Sequence, residues 1–243
     1  IKKVCNDIRV DDKNFLLYLS LNYVPNSKSI YNGIKKLKPG NYIRIKNNKV
    51  DFINYWCLPK KNNKVNEEEF NNTIKNLIID SVKIQSRSDV EVGSMLSGGV
   101  DSSIITSLFS KNIEKKIKTF CIDFTGKEQN ENIDALKISH NIESQHHFKE
   151  IDNKVFFSTI KRIGKLLDEP IADNAIIPSF LISEMAKKND IKVILSGAGG
   201  DELFGGYSRH YRSFNNFFSG ILKLDNIFSK KISKILPLNL RNY

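Results

Sequence analysis

Cysteine is scarce in this 243-residue chain, with three in all. Cys5, Cys57 and Cys121 are scattered, with no CxxC spacing and no pairable framework. That excludes a disulfide-stapled secreted domain and a cysteine-based zinc site. It points to a reducing, cytoplasmic setting. Long hydrophobic runs are also missing. The greasiest stretches, such as Ile191 to Leu195, stop after a few residues, far short of the ~18–20 needed to span a bilayer. The start carries no charged, apolar and small-residue leader. Acidic residues are in deficit, 27 against 38 basic, for a net charge of +11. The excess lies in the flanks: about +10 over residues 1–64 and about +6 over 209–243, against about −5 for 65–208. These basic residues are not interleaved with aromatics as a single-strand binding groove requires. They read as a solvated Lys/Asn-rich surface, with neither nucleic acid nor membrane as partner.

What is present is enough for a folded core: 40% hydrophobic residues and 10% aromatics. The chain opens on Ile1 and closes at Pro237–Tyr243 without a clear terminal element. Both ends suggest a piece of a longer protein. Residues 1–58 read as β-rich. A short helix is expected at Phe15–Leu19, and Lys38-Pro39-Gly40-Asn41 is a turn signal. Tyr42–Lys46 alternates like a half-buried strand, and Val50–Ile53 is its partner across an Asn47-Asn48 turn. Residues 59–65 are polar and form a linker. Beyond it the period changes. Helices are predicted over about 67–85, 102–109, 131–141, 153–167 and 175–188. Strands are predicted at 90–96, 117–124, 146–151 and 191–195. Strand and helix in alternation imply an α/β fold, a parallel sheet with helices on both faces. Ligands of such sheets bind beyond the carboxyl ends of the strands.

Two glycine loops fall at such ends. The first is Leu96-Ser97-Gly98-Gly99-Val100-Asp101-Ser102-Ser103. Paired glycines let the backbone approach a ligand, successive N–H groups bind anions, and the helix that follows adds its positive end. This is a phosphate cradle without the lysine of a Walker A loop. The second runs Leu195-Ser196-Gly197-Ala198-Gly199-Gly200-Asp201-Glu202 and on to Gly205-Gly206-Tyr207. Two strands of one sheet can bring Asp101 and Asp201 together, and two carboxylates beside a polyphosphate describe a Mg²⁺ site. His146-His147 read as strand-edge residues, Cys121 as core, and Trp56 as a packing residue. The aromatics Tyr207, His210, Tyr211, Phe214, Phe217 and Phe218 read as a core or interface stripe.

The pair SGGVDSS and SGAGGDELFGGY resembles the glutamine-hydrolysing asparagine synthetase family, whose synthetase domain is a PP-loop ATP pyrophosphatase. Further matches are Thr119-Phe120-Cys121-Ile122, Asp168-Glu169-Pro170, Ala172-Asp173 and Pro178. Tyr23-Val24-Pro25, Leu37-Lys38-Pro39-Gly40 and Tyr55-Trp56 resemble the tail of the family's Ntn-type, class II glutaminase domain. The resemblance implies residues 1–58 as the end of that domain and 66–243 as an ATP-binding domain truncated at its C-terminus. It implies ATP and Mg²⁺ as cofactors, with glutamine and aspartate or another carboxylate as substrates; a homodimer stays open. ATP would activate the carboxylate as an acyl-AMP, releasing pyrophosphate, and ammonia would attack the acyl carbon. By position, Ser97, Gly98, Gly99, Asp101 and Ser102 would grip pyrophosphate. Asp101 and Asp201 would ligate Mg²⁺, and Leu96, Ile122, Ser196 and Gly197 would hold adenosine.

Three features depart from the pattern. The family's glutaminase nucleophile is an N-terminal cysteine, whereas Cys5 is internal, so the chain alone is expected not to hydrolyse glutamine. The C-terminal part of the family's synthetase domain, with a basic residue that helps hold pyrophosphate, is expected to be cut off. The better-known enzymes carry Glu where this chain has Ala198, which favours an acceptor other than free aspartate, such as a sugar carboxylate. Competing readings are a PP-loop enzyme that modifies tRNA and an inactive fragment. The second glycine loop and the glutaminase-like tail argue against the former.

Overall fold

The computed structural model describes residues 8–25, 27–59, 66–125 and 131–207. Cys5, residues 60–65 of the expected linker and the aromatics from His210 onward lie outside them. The chain divides into two compact units, residues 1–196 and 197–243.

The first unit opens with α1 (Asp12–Leu21), capped by the Asp11 carboxylate, which accepts from the Asn14 N–H at 3.0 Å. A hairpin follows, β1 (Asn41–Lys46) and β2 (Lys49–Asn54), antiparallel with Lys46 opposite Lys49. Asn47 and Asn48 both take positive φ, as a two-residue primed turn requires. The alternation was expected to half-bury the first strand, and here the structure differs. Ile45 is 73% exposed and Phe52 69%. Among the described residues the ribbon pairs with no third strand, and two strands alone bury little of either face.

The remaining elements build the α/β sheet. They are α2 (Glu67–Gln85), β3 (Val92–Met95), α3 (Val100–Lys111), β4 (Lys118–Phe124), α4 (Glu131–Asn141), β5 (Gln145–Ile151), α5 (Asn153–Ile163), α6 (Ile176–Lys188) and β6 (Val193–Leu195). The strands are parallel in the order β5-β4-β3-β6. β4 shows why helices cover both faces. Its Phe120 packs with Ile182 and Ala186 of α6. Its Cys121 packs with Leu96 and with Ala135 of α4 on the other side. Val82 of α2 and Phe109 of α3 close a third cluster with Val92 and Leu195. β3 is sandwiched so closely that a Cβ on Gly93 would sit 2.8 Å from the Phe120 ring.

Helix α5 ends four residues before the expected Leu167. At Gly164 the i→i−4 ladder gives way, and Lys165 and Leu166 donate to Arg162 and Ile163, three residues back. Pro178 lies in the first turn of α6, where a missing N–H costs nothing. Of the second unit, α7 (Gly200–Phe204) is described, a short helix that the glycine-rich sequence did not announce. No helix among the described residues is long and apolar enough to cross a membrane.

Candidate active site

The order β5-β4-β3-β6 has a switch point. From β3 the chain crosses to β4 on one side, and it returns much later to β6 on the other. Ligands of open parallel sheets sit at the carboxyl ends beside such a point. Both glycine loops leave from there, since β3 and β6 are hydrogen-bonded neighbours with Ser94 opposite Leu195.

The first loop is rigid from within. Leu96 is fully buried, and its N–H donates to the Phe120 carbonyl at 3.0 Å. Gly98 takes φ 82°, a left-handed conformation that a side chain resists. Gly99 then caps α3. Ser102, buried at the start of that helix, holds the turn together. Its Oγ accepts from the Ser97 N–H at 3.3 Å, lies 3.0 Å from the Ser97 Oγ and 3.1 Å from the Gly99 carbonyl. Ser103 donates to the same carbonyl at 2.6 Å. One turn on, Thr106 Oγ1 meets the buried Ser94 Oγ at 2.7 Å and the Met95 carbonyl at 3.3 Å. This polar pair fastens α3 to β3, and sequence reading did not single it out.

The result is a turn at the carboxyl end of β3 whose first helical N–H groups have no intrahelical acceptor. Such a turn is suited to an anion. Asp101 stands half-buried in this first turn, and its carboxylate has no hydrogen bond or ion pair among the described residues. Ile122, half-buried, faces the α6 side of the sheet. Ser196 is exposed just past β6.

Gly197 and Asp201 belong to the second unit. There Gly199 takes φ 97° and opens α7. Gly205 closes it at φ 80°, its N–H donating to the Asp201 carbonyl at 2.9 Å. The Asp201 carboxylate lies where a Cβ on Gly206 would be. Gly206 is therefore required for that carboxylate's place, and the Gly205-Gly206 pair was the sequence signal for it. Glu202 accepts from the Tyr207 hydroxyl at 2.7 Å. Ala198 carries no polar side chain in this loop.

His146 and His147 lie on β5, the sheet edge, as expected. His146 Nδ1 is 2.8 Å from Thr119 Oγ1, and the His147 ring stacks on Phe120 at 5.2 Å. Burial pushes both imidazoles below their usual pKa, aided by His147 for the first and by Lys118 for the second. Cys121 is core, as expected. Trp56 is half-exposed after the hairpin, its N–H donating to the Gly40 carbonyl at 3.2 Å.

The asparagine synthase profile matches residues 73–236, from α2 through both glycine loops. The chain belongs to the asparagine synthase family. It is 32% identical over 225 residues to asparagine synthetase [glutamine-hydrolyzing] 1 of Bacillus subtilis, covering 90% of this chain and 35% of that protein. It is 32% identical over 241 residues to putative asparagine synthetase [glutamine-hydrolyzing] 2 of Methanocaldococcus jannaschii, covering 98% and 46%. The chain thus spans between a third and a half of these relatives. Among solved structures it is similar to glutamine-dependent NAD+ synthetase of Acinetobacter baumannii in complex with ADP. That likeness has a TM-score of 0.43 and 19% identity, over 68% of this chain and 31% of that one.

Proposed function

We propose that this chain supplies the ATP-binding part of an amidoligase that activates a carboxylate as its acyl-AMP and amidates it with glutamine-derived ammonia. The observation that carries the reading is the β3–α3 cradle, a lysine-free anion turn at the switch point of a parallel sheet in an asparagine synthase family chain. In this reading residues 1–58 are the end of a glutaminase domain and 66–243 the ATP-binding domain.

The chemistry assigns the cradle a single task. A carboxylate oxygen attacks the α-phosphorus, the bond to the β-phosphate breaks, and pyrophosphate leaves with the electron pair. Charge grows on the leaving group, so donors fixed in advance around it lower the barrier. In this reading the Gly98 and Ser102 backbone N–H groups are those donors, while Ser97 and Gly99 hold the turn in place through their bonds to Ser102 and to each other. Adenosine would lie against the Leu96 backbone, Ile122, Ser196 and Gly197; the Leu96 side chain is already in the core. Ammonia then adds to the acyl carbon, AMP departs, and a proton leaves the nitrogen to solvent.

Taken singly, each of the two carboxylates suits Mg²⁺. Asp101 carries a carboxylate that no other described residue claims, and Asp201 one that Gly206 leaves room for. Both are hard oxygen ligands of the kind this ion takes. Mg²⁺ when bound would neutralise phosphate charge.

The default acceptor is aspartate. A different carboxylate, such as a sugar acid, is the second reading, favoured by Ala198 and by Glu202 being engaged with Tyr207. Pyrophosphate release by the complete protein, assayed with ATP, Mg²⁺ and ammonia against a panel of carboxylates, tests the proposal. Release that rises with one carboxylate supports it, and release with none overturns it.

A further inference from the structure

One junction in the first unit joins residues more than a hundred positions apart, and no step described above uses it. The loop between α5 and α6, residues 164–175, carries Leu167 into the cluster formed by Ile122 and Phe124 of β4, Ile151 of β5 and Ile177 of α6. Phe124 and Ile151 are the last residues of their strands. The loop therefore lies on the carboxyl-end rim of the sheet, the edge from which the cradle also leaves.

The next two residues reach across to the N-terminal segment. The Asp168 carbonyl accepts from the Tyr31 hydroxyl at 2.6 Å. Glu169 uses both carboxylate oxygens: Oε2 accepts from the Ile30 N–H at 3.3 Å, and Oε1 pairs with the Lys36 ammonium. The receiving side is ordered. Ile30 and Ser29 are buried, Ser29 accepts from the Tyr31 N–H at 3.1 Å, and the Asn14 amide of α1 donates to the Ser29 carbonyl at 2.9 Å. A surface ion pair alone is weak. Here the carboxylate also satisfies a backbone donor, with its side chain 23% exposed.

We propose that Glu169 is a positioning residue, a latch that holds segment 29–36 on the rim of the ATP-binding sheet and so keeps nitrogen delivery in register with carboxylate activation. The inference rests on the proposed function, because segment 29–36 belongs to the part read there as glutaminase. Glu169's hydrogen bond and ion pair go to Ile30 and Lys36, neither of which is assigned to ATP.

The test compares three variants of the complete protein with two nitrogen sources, ammonium chloride and glutamine. Glu169→Gln keeps an acceptor for the Ile30 N–H and loses the ion pair, as Lys36→Met does. Glu169→Ala loses both the ion pair and the acceptor. With saturating ammonium chloride, pyrophosphate release should stay within about twofold of wild type in all three. With glutamine, the glutamate formed per pyrophosphate should rise in order: about twofold for Glu169→Gln and Lys36→Met, where the ion pair alone is gone, and about fivefold or more for Glu169→Ala, where the backbone hydrogen bond goes with it. Amide hydrogen exchange at Ile30 should speed up in Glu169→Ala and stay near wild type in Glu169→Gln. An unchanged ratio in Glu169→Ala overturns the latch, as does a wild type that uses ammonia but not glutamine. A loss of ammonia-supported release as large as the glutamine effect makes the junction merely structural and overturns it too. A wild type that releases no pyrophosphate with any acceptor is a failure of the proposed function instead.

Discussion

Gly206 and Ala198 frame the chemistry of the second loop from opposite directions. At Gly206 a hydrogen stands where any side chain would meet the Asp201 carboxylate. Gly206→Ala must rotate that carboxylate away, while the exposed end of α7 tolerates the extra methyl. If Asp201 is a Mg²⁺ ligand as proposed, the expected result is a rise of about fivefold in the Mg²⁺ concentration for half-maximal pyrophosphate release, since that ligand is then misplaced. The melting temperature should change little, and Mg²⁺ titration alongside thermal unfolding reads both. At Ala198 a methyl stands where the resemblance leads one to expect a carboxylate, which on the proposed function would face the acyl group. If that charge holds the acceptor's ammonium, Ala198→Glu should raise kcat/KM for aspartate about tenfold, or 1.4 kcal/mol. If wild type already uses aspartate far better than any other carboxylate, the substrate argument from this residue fails. In the first loop, Asp101→Asn should remove most pyrophosphate release with the fold intact. Circular dichroism and the release assay together check it.

At the scale of elements, two strands carry predictions that do not depend on ATP. β3 passes so close to β4 that Gly93→Ala would press on the Phe120 ring, the Ile191 side chain and the Lys118 carbonyl. Overpacking of this kind costs about 1–3 kcal/mol, to be seen as a lower denaturant midpoint at unchanged slope. On β5, burial lowers the pKa of His146 and His147. The unfolded chain therefore binds more protons than the folded one below pH ~6.5. Their contribution to stability is complete above that pH. It is lost as pH falls from there toward the lowered native values. Denaturant midpoints measured from pH 8 to 5 should fall in wild type and fall less in His146→Gln. An identical slope in the variant would remove His146 from the account. These elements were legible because their signals are local: periods of 2 and 3.6, glycine breaks and the Asn47-Asn48 turn. The burial of β1 was not, because alternation states which face is apolar but not whether a second layer exists to cover it. Nor was α7, five residues long in a run dominated by glycine.

For the whole molecule, the place of the first glycine loop at a strand's carboxyl end, with Asp101 in the helical turn that follows, was legible in the string. The positive φ of Gly98 and the bonds that Ser97, Ser102 and Ser103 make within the turn were not, because a hydroxyl's partner is not a sequence pattern. The strand order was not legible either. No local pattern shows that β6 returns beside β3, and it is that return which sets the two glycine loops on neighbouring strands. The Glu169 junction escaped for the same reason, since its partners are remote in sequence. The central claim is that this fold breaks ATP between the α- and β-phosphates to activate a carboxylate. The direct measurement is the product balance of the complete protein with ATP, Mg²⁺, ammonia and its best carboxylate. The account predicts AMP and pyrophosphate, each in a one-to-one ratio with the amide formed. ADP and orthophosphate as the products, or AMP formed without a carboxylate acceptor, would contradict it.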